Sequence, residues 1–107
     1  MSTEPLYSEY LDDPEMGELI EDFVIGLNAT VNQLRLALSQ NDVDTVKRIA
    51  HQMKGAGGGY GFPDLSQVGW DLENAVNGEG SITPRVIARA DDFVSVCRRV
   101  QFAPATS

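Results

Sequence analysis

Apolar residues recur at three- and four-residue steps in four successive stretches of this chain, and nowhere alternate with period two for long enough to suggest a sheet. The first stretch starts near Pro14, with Asp13 placed to cap it and a proline at the first helical position. Met16, Leu19, Ile20, Phe23, Leu27, Val31, Leu34 and Leu38 then follow in helical phase until the polar turn "SQND". Asp42 or Asp44 caps the second stretch, whose stripe is Val46, Ile49, Met53, Ala56 and Tyr60. After "YGFPD" a third stripe carries Leu65, Val68, Leu72 and Val76 and ends at "NGEG". Thr83 and Pro84 restart the chain, and Ile87, Ala90, Val94, Cys97 and Val100 make the fourth stripe.

Four amphipathic helices joined by short turns bury their stripes most simply as an all-α, antiparallel up-down-up-down four-helix bundle. With 107 residues the chain forms one domain. Residues 1–13, with Leu6, Tyr7, Tyr10 and Leu11, are expected to form a short N-terminal lid segment over one end. Residues 14–102 make the helical bundle, and 103–107 a frayed tail.

Charge narrows the function. Sixteen acidic and eight basic side chains leave a net charge of −8, which argues against nucleic acid and against anionic membrane surfaces. No apolar run approaches the ~20 residues that cross a bilayer, and the acidic N-terminus lacks the basic and apolar regions of a secretion signal. The single cysteine, Cys97, excludes an internal disulfide and suits a reducing compartment, so the expected location is cytoplasmic. Against the global sign, Lys47, Arg48 and Lys54 put three of the eight cations within eight residues around His51, the only histidine. A basic solvated helix face gives the same pattern.

The stretch "AHQMKGAGGGYGF" places five of the ten glycines just after that histidine. Each glycine within a helix costs roughly 1 kcal/mol relative to alanine, and propensity alone would end the second helix at Lys54. The apolar stripe nevertheless continues in phase to Tyr60, which predicts a helix running to about that residue and held by packing. On that helix, at about 100° per residue, Lys47, Lys54, Gly55 and Gly58 all fall within about 60° of His51, and the stripe lies around the opposite pole. His51 therefore points away from the core, with a lysine one turn on and bare positions at Gly55 and Gly58. Absent side chains let another molecule's backbone approach the imidazole.

Other chemistries fail on residue type. A phosphate-cradling loop needs its lysine after the glycines, and Lys54 precedes them. No frame of "GAGGGYG" fits the dinucleotide fingerprint. One histidine and one distant cysteine do not make a zinc site, and Cys97 continues an apolar stripe, so a Cys–His hydrolase pair is disfavoured. A helical adaptor that binds a partner through the glycine-cleared face, with no phosphoryl chemistry, stays open.

"AHQMKGAGGGYGFPDLSQVGWDLE" resembles the signature of histidine phosphotransfer (HPt) domains: H-x-x-K-G, a small-residue stretch, and a third helix bearing Leu-Glu. Its "GF" after the glycines is also like the phosphotransfer domain of chemotaxis-type kinases. The chain departs from the pattern at Gly57 to Gly59, where many members carry serine or alanine. The resemblance implies a phosphoryl carrier rather than a self-contained catalyst. His51 would accept the group from a receiver-domain aspartate and pass it to another receiver in a multistep phosphorelay. Lys54 would stabilise the phosphoryl group, Glu73 would orient the imidazole, and Gly55 and Gly58 would clear space for the partner. Response-regulator receivers and sensor histidine kinases are the implied partners, with apolar side chains of the first two helices expected at the docking rim. No cofactor or metal is expected on this chain, and Mg²⁺ is expected on the partner receiver. A neutral imidazole, the major form at pH 7 for a side chain titrating near ~6.5, offers one nitrogen lone pair for attack on phosphorus.

Overall fold

In the computed structural model, which describes residues 3–103, four helices follow one another: α1 (Gly17–Ser39), α2 (Val43–Gly59), α3 (Pro63–Glu79) and α4 (Pro84–Arg99). Helix contacts run α1 to α2, α2 to α3, α3 to α4 and α4 back to α1, closing a ring. With three- and four-residue turns between helices, that ring is the antiparallel four-helix bundle the stripes require. Its centre holds Ile20, Leu34, Val46, Leu65, Leu72, Val76, Val86 and Phe93, all fully buried.

Local chemistry explains most helix ends. Asp42 is the α2 cap: one carboxylate oxygen accepts from the Thr45 N–H at 3.1 Å and the other from the Thr45 hydroxyl at 2.7 Å. Those two bonds hold the Asp42 carboxyl below its usual range. Thr83 caps α4 by accepting from the Val86 N–H, and Pro84 follows it at the first helical position. The start of α1 differs from expectation. Asp13 does accept from the Glu15 N–H at 2.9 Å, but the turn it opens is tight, and regular helix begins only at Gly17. Successive bonds from Leu11 to Ser8, Asp13 to Tyr10 and Met16 to Asp13 span three residues each and build a chain of turns before the helix.

Two stripes need correction. In α4 the core takes Val86 and Phe93, and Ile87 stays 46% exposed. Ala90, Val94 and Cys97 fit either phase, and the large Phe93 ring settles the rotation by filling the centre. In α1, Leu19 is exposed and Ala37 is buried in its stead at the other end of the helix.

The N-terminal segment is the anticipated lid, tied at two points to one end of the bundle. Leu6 exchanges backbone bonds with the α4 terminus, donating to Arg99 C=O at 2.7 Å and accepting from Gln101 N–H at 2.9 Å. The Ser8 hydroxyl donates to Tyr60 C=O and the Glu9 N–H to Gly61 C=O, across the α2–α3 turn. That turn needs glycine at 61, where φ is +84° and a Cβ would meet the Ser8 hydroxyl at 2.5 Å. Phe23 of α1 stacks on Tyr60 and Phe62 beneath the lid. Phe102 packs onto the core although the sequence suggested fraying nearby; the expected frayed tail lies, from residue 104 on, outside the described residues.

Candidate functional site

Helix α2 does run through the glycines. It ends at Gly59, with Tyr60 as its C-cap. Four glycines therefore sit in regular helix at an intrinsic cost of roughly 4 kcal/mol relative to alanine. Packing against α3 offsets it. A Cβ at Gly57 would lie 2.7 Å from the Ser66 backbone nitrogen, and one at Gly69 would lie 2.8 Å from the Lys54 nitrogen. Two glycines on facing helices thus let the backbones approach closer than any side chain permits. The Ser66 hydroxyl donates to Lys54 C=O at 2.6 Å and pins the same stretch.

This seam sets the register of the site. Gly57 opposite Ser66 and Lys54 opposite Gly69 put Glu73, one turn further along α3, level with Ala50 and His51. Both carboxylate oxygens of Glu73 are used: Oε2 lies 2.6 Å from His51 Nδ1, and Oε1 accepts from Lys54 Nζ at 2.7 Å. The Lys54 hydrogen bond chiefly, and the His51 bond with it, hold the Glu73 carboxyl below its usual range against the opposing effect of burial. Glu73 is therefore ionised at neutral pH and can only accept. His51 Nδ1 must carry the proton and donate it, and in the neutral ring the lone pair is on Nε2. The imidazole side chain is 69% exposed, while that of Glu73 is only 14% exposed. A half-buried carboxylate thus holds the inner edge of a ring whose outer edge meets water.

The structure brings together His51, Lys54 and Glu73, three residues separated in sequence by up to 22 positions. Gly55 and Gly58 flank them: a Cβ at Gly55 would meet nothing within 4 Å, and one at Gly58 only the Ser66 hydroxyl at an ordinary 3.7 Å. Cys97 is not part of this cluster. It is buried between α1 and α4, and burial pushes its thiol up to about 12, so it is no nucleophile. Arg48 lines a groove with Leu36, Asp42 and Thr45 toward the start of α2, apart from the imidazole cluster. Among the described residues no three His, Cys, Asp or Glu side chains gather as a metal site.

Three residues that the stripes did not single out shape the site. Gly69 permits the close seam, Ser66 pins α2, and Trp70 stands half-exposed beside Lys54 on a groove of about 400 Å³. Trp70 had a readable signal, since it lies on the polar side of α3, about 160° from Leu72. Gly69 had none.

No helix among the described residues is long and apolar enough to cross a membrane. Comparison with curated proteins finds no significant match, and comparison with solved structures finds none. A family model of the Hpt domain matches residues 18–100, a span that contains all four helices but for the first residue of α1, together with every member of the imidazole cluster. With the bundle, the exposed ring and this match in agreement, the chain belongs to the Hpt domain family, whose members carry phosphoryl groups on histidine in two-component phosphorelays.

Proposed function

We propose that this chain accepts a phosphoryl group on His51 Nε2 from a receiver-domain aspartate and passes it to the aspartate of a second receiver in a multistep relay. The observation that carries the reading is the Glu73 carboxylate bridging His51 Nδ1 and Lys54 Nζ beneath an exposed ring. The Nε2 lone pair attacks phosphorus, the N–P bond forms, and the aspartyl O–P bond breaks with its electron pair returning to the aspartate. The ring keeps its Nδ1 proton and becomes a cation, which the Glu73 charge stabilises from behind. No proton has to leave at any step, so the return transfer needs none either.

Lys54 serves the other side of the reaction. Its ammonium has three donors, of which Glu73 takes one, leaving two for phosphoryl oxygens. His51 lies mid-helix, where backbone N–H groups are already used, so Lys54 is the chief local counter-charge. The Mg²⁺ and carboxylates of in-line transfer are assigned to the receiver, and this chain is a carrier rather than a complete catalyst. Gly55 and Gly58 keep the approach to Nε2 free of side chains, and the cytoplasm is the compartment in which such partners are met.

The test is to incubate the purified chain with a phosphorylated receiver and Mg²⁺, then look for acid-labile, alkali-stable phosphate. Label is expected on the native chain and absent from His51→Gln, with Lys54→Ala slowed but folded. Label that persists in His51→Gln refutes the assignment. Absence of label across a broad set of receivers returns the chain to the adaptor reading.

A further inference from the structure

The only tryptophan of the chain is spent on the surface. Trp70 is half-exposed, and its indole makes no hydrogen bond or ring contact among the described residues. Exposure alone does not distinguish it from Leu19, Ile25 or Leu36, but tryptophan is among the residues most enriched where binding energy concentrates at protein interfaces. Its position adds to this. Trp70 lies three residues before Glu73 on α3, about 4.5 Å along the helix axis from the carboxylate that holds His51.

With Lys54, Gly58, Pro63, Ser66 and Gln67, Trp70 lines the groove between α2 and α3. Lys54 belongs to that groove and also to the imidazole cluster, so the two are one continuous surface. A partner that brings an aspartyl phosphate to Nε2 covers on the order of 800 Å² of this face, a patch about 15 Å in radius. Trp70 falls well inside it. Because Gly55 and Gly58 have no side chains, the α2 backbone forms a low floor, and the indole is the wall that rises beside it.

We propose that Trp70 is the anchor by which the chain selects its receiver: an apolar side chain of the receiver, next to its phosphorylated aspartate, enters the groove over Gly58 and lies on the indole. The indole N–H, free of protein partners, donates to a carbonyl on the same receiver segment. This inference rests on the phosphotransfer reading for the identity of the partner, and it moves the apolar docking rim from the first two helices to the third. Trp70 touches the partner and not the reacting atoms, so it governs specificity rather than the chemical step.

The lone tryptophan is its own reporter. The 107-residue chain is titrated with isolated receiver domains while indole emission is followed, and phosphate transfer is measured in parallel with receivers labelled from acetyl phosphate in Mg²⁺. The expected result is a saturable emission shift, retained in His51→Gln, because docking does not require the imidazole. Trp70→Ala is expected to raise the KM for receiver tenfold or more with kcat within twofold, and Trp70→Phe to restore part of the loss at an unchanged melting temperature. Label on His51 without any emission shift, or an unaltered KM in Trp70→Ala, overturns the anchor and leaves phosphotransfer standing. An emission shift without label keeps the anchor and removes the transfer. Neither signal overturns both.

Discussion

Gly57 and Gly58 are neighbours on one helix and have opposite surroundings. Gly57 is pressed against the α3 backbone, where a Cβ would meet the Ser66 nitrogen at 2.7 Å; Gly58 faces outward, where a Cβ would find only ordinary contact. The inner seam, with Gly69 across from it, uses the missing side chain to bring two backbones together. The outer face uses it to leave a surface bare. One run of identical residues therefore meets two separate requirements, and a helix turn of 100° per residue is what divides them. The roughly 4 kcal/mol of lost helix propensity is common to both, so only substitution can tell which glycine is there for which reason.

The sharpest division comes from Gly57→Leu. It is expected to destabilise the fold by about 2–3 kcal/mol, since backbone and not a flexible side chain stands in the way. Transfer should be lost with it, because forcing α2 from α3 withdraws Glu73 from His51. Urea denaturation with a parallel labelling assay measures both, and a variant as stable as the native chain would erase the distinction between seam and face. Gly58→Leu should do the converse: labelling from a receiver falls tenfold or more while the denaturation midpoint holds or rises.

Glu73→Gln probes what the seam delivers. Transfer should slow severalfold, because an amide cannot balance the cation formed on the ring. Its stability signature depends on pH. The carboxyl is held below its ordinary range in the folded chain, chiefly by Lys54, so its contribution is complete above the ordinary glutamate range and disappears as the pH falls through the depressed value. The gap between native and Glu73→Gln chains, below about 1 kcal/mol for so accessible an ion pair, should be constant near neutrality and narrow in acid. A gap that widens in acid would contradict the assigned charge. The smallest effect is expected from Gly55→Ala, a gain of about 0.5–1 kcal/mol at an open position. A loss there would mean that the outer face is not open.

The imidazole's outward aim was legible in the sequence because the Val46–Ile49–Met53 stripe fixes the rotation of α2, and His51 falls opposite it. The link from Glu73 to His51 was not legible from spacing; it entered only through likeness to a family. The rotation of α4 was legible to within one residue, since Ala90, Val94 and Cys97 satisfy two phases and the burial of Val86 and Phe93, with Ile87 left exposed, separates them. Trp70 lies outside every apolar stripe, because a stripe marks what a helix buries and this residue is informative for staying out.

By itself the sequence determined the four helices, their order, and which side of α2 carries the histidine, all of which follow from the periodicity of apolar residues along one chain. The tertiary structure alone decided how near α2 and α3 come, and therefore that one carboxylate reaches both the ring and the lysine. That distance is set by two absent side chains on different helices, and no pattern within a single helix encodes the register between them.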